Sequence, residues 1–238
     1  MKKHIPNFIT CLNIFSGCLA IVAAFNNNLI YSAYFIVIAA VFDFFDGMAA
    51  RILNVKSELG KQLDSLADMI SFGMAPASIM FMLIRNASEI SNINPIHSYF
   101  LSFLSFLIVV FSGLRLAKFN IDENQTDSFI GLPTPANAIF IGSLHFVMMR
   151  YNILWLSNPY FLAVLTVIMS LLLVSPLPLF ALKFHNLKWK ENLYRYIFII
   201  ISIILLVMIN YSAIPLLIIF YILLSITEKI LSKSIDKN

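Results

Sequence analysis

Apolar residues dominate this chain in long blocks, and polar residues fall mainly in the short gaps between them. The blocks cover about 6–25, 29–53, 58–84, 99–120, 131–149, 160–180, 196–209 and 213–226. A helix rises 1.5 Å per residue and needs roughly 20 apolar residues to cross about 30 Å of hydrocarbon. The pattern therefore predicts an all-α, polytopic integral membrane protein with about eight transmembrane helices. Pro6 opens the first helix at a position where a missing N–H costs nothing. Pro76 is expected to bend the third span, and Pro176 and Pro178 interrupt the sixth. No internal repeat or low-complexity stretch divides the chain, which reads as a single domain over residues 1–238.

The exceptions inside the apolar blocks carry the chemistry. Asp43, Asp46, Gly47 and Ala50 recur at helical spacing and share one face; Gly60, Asp64 and Asp68 do the same on the next segment. Residues 54–57 read as a turn between them. Two antiparallel helices joined there bring Asp46 level with Asp64, and Asp43 level with Asp68 slightly deeper. An ionised aspartate in a membrane helix is unfavourable by roughly 2.5–3.5 kcal/mol and marks function. Four of them at one point need cations. Oxygen ligands without histidine or cysteine favour Mg²⁺ or Mn²⁺ over zinc. Gly47 and Gly60 either let a phosphate or ribose approach the backbone or serve plain helix packing. Arg51 suits a carboxylate or a diphosphate equally.

Charge then fixes an expected orientation. Of 16 Lys and Arg, all but Arg85 and Arg150 fall at the termini or in the second, fourth and sixth loops. The positive-inside rule places both termini and the aspartates at the cytoplasmic face of the cell membrane. With 60% hydrophobic residues and a mean hydropathy of +0.88, the net charge of +4 speaks for anionic lipid and topology, not nucleic acid. Cys11 and Cys18 lack metal or redox spacing and are expected to be buried small side chains. His97 reads as a surface residue and His145 as a packed one.

The stretch from 43 to 68 reads DxxDGxxARx8GxxxDxxxD without a departure, at Asp43, Asp46, Gly47, Ala50, Arg51, Gly60, Asp64 and Asp68. This is the signature of the CDP-alcohol phosphatidyltransferase family of membrane enzymes, which the chain resembles. PNFITCLNIFSG at 6–17, QLDSLADMISFGMAPA at 62–77, GLRLAKFN at 113–120, GLPTPANA at 131–138 and SPLPLFALKF at 175–184 are similar to its bacterial and archaeal branch that uses serine.

The resemblance implies the family's helical fold, a homodimer, and two Mg²⁺ or Mn²⁺ ions held by Asp43, Asp46, Asp64 and Asp68. It implies CDP-diacylglycerol contacts from Asn7, Thr10, Gly47, Ala50, Arg51 and Gly60, with Asp68 as general base. Phosphatidyl transfer to L-serine would then yield phosphatidylserine and CMP by direct displacement. Arg115, Lys118 and Asn137 are candidates for the serine pocket; for the two cations, a charge that only sets topology is an equal reading. Charge alone leaves another alcohol open, inositol phosphate or glycerol 3-phosphate. A divalent-cation transporter is the alternative from a different class.

Overall fold

The computed structural model describes residues 4–55, 57–121, 128–153, 155–180 and 192–235. The basic stretch with Lys183, His185, Lys188 and Lys190, the 122–127 loop and Lys237 lie outside these. The helices are α1 (His4–Phe25), α2 (Leu29–Ile52), α3 (Glu58–Asp68), α4 (Ala75–Ile90), α5 (Pro95–Phe103) and α6 (Leu107–Ile121). They continue with α7 (Thr134–Tyr151), α8 (Pro159–Val174), α9 (Leu193–Ile209) and α10 (Ile214–Ile235). A π-helical turn, Met69–Met74, fuses α3 to α4, and a 3-10 turn, Leu104–Phe106, fuses α5 to α6. The described chain thus forms eight helical rods. Its departure from all-helical structure is a short antiparallel ribbon, β1 (Ser128–Ile130) against β2 (Pro178–Phe180).

Asparagine ends five of the eight rods. Asn27, Asn54, Asn92, Asn152 and Asn210 all have positive φ, from 45° to 59°. Its short side chain tolerates that region better than other residues with a Cβ, so these five rods stop where an asparagine follows them. Cross-helix contacts then fix direction. Thr10 meets Asp46 and Ser32 meets the Ala20 carbonyl, so α1 and α2 are antiparallel. Asn7 lies beside Gly60 and Gly17 beside Ser71, so the α3–α4 rod runs parallel to α1. Lys61 reaches the Asn120 carbonyl and Thr134 approaches Asp68, which brings the end of α6 and the start of α7 to the aspartates. Asn86 bonds Asn27 at the other end.

The core lies along α4, where residues 75–84 are buried almost without a break. Elsewhere large apolar side chains face outward: Phe8, Phe15, Phe44, Ile203 and Val207 are all more than half exposed, and no α9 residue is buried. Such a surface is at home only in hydrocarbon. Among the described residues, five stretches are long and apolar enough to cross a membrane: His4–Phe25, Leu29–Ile52, Glu58–Ile90, Pro95–Ile121 and Leu193–Ile230. The chain is an integral membrane protein. Five differs from the expected eight because Leu193–Ile230 joins two rods, α8 is short, and α7 carries several polar residues.

Two local expectations change. Cys11 and Cys18 are exposed, on the outer side of α1, because its inner stripe is taken by Thr10, Asn13, Gly17 and Ala20. The irregularity expected at Pro76 falls earlier, in the π turn, which leaves Pro76 in the first turn of α4 where proline is tolerated. The π turn rotates α4 by roughly one residue relative to α3. It also demands close neighbours: a Cβ on Gly17 would sit 2.9 Å from the Ser71 Cα and collide with its hydroxyl. Gly17→Ala should therefore lower stability by about 1–3 kcal/mol, the usual penalty of overpacking. Thermal unfolding in detergent measures it, and an unchanged midpoint would show that α1 does not press on the π turn.

Candidate active site

The turn after α2 returns the chain as α3 alongside it. Ser57 caps α3 by accepting the Gly60 N–H at 3.3 Å, which sets where its helical phase begins. With that phase, one carboxylate oxygen each from Asp43, Asp64 and Asp68 lies within 4.8 Å of the other two. Asp64 is exposed, while Asp43 and Asp68 are half-buried. Two unit charges at that separation repel by about 3.5 kcal/mol at an effective dielectric of 20. Three carboxylates cannot hold this arrangement ionised without positive charge between them. Closure of the triangle would let Asp43, Asp64 and Asp68 hold a divalent cation through one oxygen each. The all-oxygen donor set fits Mg²⁺ or Mn²⁺ and gives zinc nothing softer to prefer.

Asp46, expected at the same point as the other three, instead sits one turn away because Thr10 holds its carboxylate toward α1. Only 6% exposed, it accepts the Thr10 hydroxyl at 2.7 Å, and that hydroxyl also lies 3.0 Å from the Pro6 carbonyl. It borders a cleft of about 260 Å³ between the ends of α1, α2 and α3, lined by Asn7, Thr10, Gly47, Ala50, Gly60 and Asp64, with Pro6, Val55, Ser57 and Lys61. The two glycines part company here. A Cβ on Gly47 would project into open cleft, with the Arg51 guanidinium its nearest neighbour at 3.7 Å. A Cβ on Gly60 would stand 3.1 Å from the Asn7 side-chain oxygen. Gly47 keeps space; Gly60 lets α1 and α3 approach. Arg51 is exposed at the rim and donates its Nε–H to the Gly47 carbonyl at 3.0 Å.

Behind the triangle lies a set of buried polar atoms without hydrogen-bond partners. Asp68 Oδ1, Arg115 Nε and both carboxamide atoms of Asn137 belong to it. Arg115 feels the Asp68 charge directly, and the Thr134 hydroxyl is 3.5 Å from Asp68 Oδ2, one turn before Asn137. Buried groups of this kind are usually satisfied, and a cluster of exceptions beside a carboxylate marks a place for a polar ligand. Lys118, by contrast, is exposed. Asn13 has both carboxamide atoms buried and unpartnered, while its carbonyl accepts from Ser71 in the π turn. Thr134, Lys61 and Ser57 were not among the residues singled out in the sequence. A threonine at a helix start and a lysine after Gly60 carry no periodic signal, and only the fold brings them here.

Over residues 3–175 the chain matches the family model described as CDP-alcohol phosphatidyltransferase. The chain belongs to the CDP-alcohol phosphatidyltransferase family. It is 31% identical over 204 residues to a Helicobacter pylori protein named CDP-diacylglycerol–serine O-phosphatidyltransferase, covering 84% of this chain and 80% of that one. A Bacillus subtilis protein of the same name is 34% identical over 194 residues, 80% of this chain and 97% of the relative. A Saccharomyces cerevisiae protein, again so named, is 36% identical over 162 residues, 60% and 54% of the two chains. Asp43, Asp46, Asp64 and Asp68 and the whole cleft lie inside the CDP-alcohol phosphatidyltransferase match, and α9 and α10 lie beyond it.

The Thr10–Asp46 contact offers a test of how the cleft is held. Thr10→Val keeps the shape but leaves a buried carboxylate without its donor, which should cost about 1–3 kcal/mol. Thr10→Ser should restore most of it. Equal thermal midpoints for wild type and Thr10→Val would show that the hydroxyl does not hold Asp46.

Proposed function

We propose that this chain transfers the phosphatidyl group of CDP-diacylglycerol to the hydroxyl of L-serine, giving phosphatidylserine and CMP. The observation that carries this is the carboxylate triangle of Asp43, Asp64 and Asp68 opening onto the Asp46–Gly47 cleft. The acceptor comes from the names of relatives matched over most of their length. The whole chain, 1–238, acts as one membrane-embedded catalytic domain. Its eight rods read as eight spans, with both termini and the cluster at the cytoplasmic face and a homodimer as the working unit. Aspartates gathered at one end of the bundle suit a fixed centre better than a crossing path for ions.

Asp43, Asp46, Asp64 and Asp68 would hold the divalent cations, two Mg²⁺ or Mn²⁺, whose charge neutralises a bound diphosphate. The cleft beside them takes the cytidine diphosphate. Its open Gly47 wall admits a ribose or phosphate against the helix, with Asn7, Thr10, Ala50 and Gly60 around it and Arg51 at the rim. Behind the triangle, Arg115 faces the serine carboxylate and the Asn137 carboxamide supplies a neutral partner, with Lys118 nearer the entrance.

The serine oxygen then attacks the phosphorus that bears diacylglycerol. Its proton passes to Asp68 Oδ1, the atom left without a partner. The bond from that phosphorus to the bridging oxygen breaks, and CMP leaves with the electron pair. Thr134, next to the other Asp68 oxygen, orients the carboxylate for this role.

Purified protein should release CMP from CDP-diacylglycerol only with serine and a divalent ion, and chelator should abolish this. Asp68→Asn should still bind CDP-diacylglycerol, with CMP release lowered at least a hundredfold, the lower bound of general-base contributions. Serine, inositol, inositol phosphate, glycerol and glycerol 3-phosphate should be offered in parallel. Preference for an alcohol other than serine would defeat the acceptor assignment, and turnover by metal-free enzyme would defeat the centre.

A further inference from the structure

The end of the bundle away from the aspartates holds a second cavity. It measures about 440 Å³ and lies between α7, α8 and the turn that joins α9 to α10. Leu144, Leu165 and Leu216 are among the apolar side chains that wall it, and Tyr151 and Trp155 stand at its lip, 45% and 59% exposed. Trp155 is fixed edge-on against Phe161, with centroids 4.8 Å apart. The volume lies within the roughly 300–1,000 Å³ typical of small-ligand pockets. In a bilayer, an apolar cavity open between helices is filled by hydrocarbon, and a Tyr–Trp pair at its mouth marks headgroup level.

The charge at this end selects among lipids. Arg85 is already engaged, 3.5 Å from Glu89 and over the Tyr99 ring at 4.8 Å. Arg150 stacks its guanidinium 5.7 Å from the Tyr151 centroid, directly at the lip, and has no carboxylate partner among the described residues. An exposed cation at the interface beside an apolar cavity is complementary to a headgroup of negative charge.

We propose that this cavity is a binding site for one anionic phospholipid, an acyl chain inserted between α7, α8 and α10 and the phosphate paired with Arg150. The site lies at the opposite end of the bundle from the cleft, so its occupant takes no part in the chemical step. It does not depend on the catalytic reading.

The chain contains two tryptophans, so Trp189→Phe leaves Trp155 as the reporter. This variant is reconstituted in phosphatidylcholine vesicles carrying increasing fractions of lipid brominated in its acyl chains, either phosphatidylglycerol or phosphatidylcholine. Bromine quenches tryptophan on contact. Brominated phosphatidylglycerol should reach half-maximal quenching at a mole fraction at least about threefold lower than brominated phosphatidylcholine. Arg150→Gln should bring the two curves together. Leu216→Phe, which fills the cavity, should reduce quenching by phosphatidylglycerol, and Leu165→Phe serves if that variant does not fold. Coincident curves for the parent protein would overturn the proposal. So would a preference that survives Arg150→Gln, or one that both filling variants leave intact. Shielding of Trp155 that grows with the protein-to-lipid ratio would assign the cavity to a second copy of the chain, and equally overturn it.

Discussion

Mutual repulsion of carboxylates held in a poorly hydrated helix bundle is the constraint on which this structure turns. Asp43, Asp64 and Asp68 are brought within 4.8 Å by two helices whose direction, phase and spacing are fixed elsewhere. The packing supplies what the charges oppose. Antiparallel α1 and α2 lock Asp46 through Thr10, and α3 takes its phase from the Ser57 cap. The π turn directly after Asp68 is pinned by Gly17 on one side, while Gly73 and Gly113 let α6 approach on the other. A scaffold that holds like charges together is poised to take up cations, since binding them relieves strain already built in.

The same arrangement divides the site by chemistry. The cleft walled by Gly47, with the exposed Arg51 at its rim, lies at the helix ends and is the part proposed to take the nucleotide. The unpartnered atoms of Asp68, Arg115 and Asn137 lie behind, where a small polar molecule would find donors and an acceptor without competing water. The acyl chains of the proposed lipid substrate need no enclosed pocket, because the outer faces of the helices are already apolar and open to the bilayer.

Much of this was legible in the sequence because helical periodicity and membrane hydropathy are strong, local signals. The spacing of Asp43, Asp46, Gly47 and Ala50, and of Gly60, Asp64 and Asp68, anticipated one shared face at the junction of two helices. What local patterns do not encode is lateral packing. The distinction between Gly47, which faces space, and Gly60, which faces Asn7, depends on where α1 lies. So do the outward positions of Cys11 and Cys18, and the arrival of Thr134 beside Asp68. The π turn was invisible for a related reason. Residues 69–74, MISFGM, carry no spacing that marks a π turn, and the wider turn follows from neighbours on α1 and α6. The break expected between 196–209 and 213–226 falls at Asn210, where α9 ends before α10 begins.

The central claim is that the aspartates form a cation cage, and location of the ion tests it most directly. Crystals grown with Mn²⁺ and measured at the manganese absorption edge should show anomalous density enclosed by the carboxylates of Asp43, Asp64 and Asp68, and Asp43→Asn should weaken or remove it. Density located only away from these carboxylates, in protein that turns over with Mn²⁺, would contradict the account.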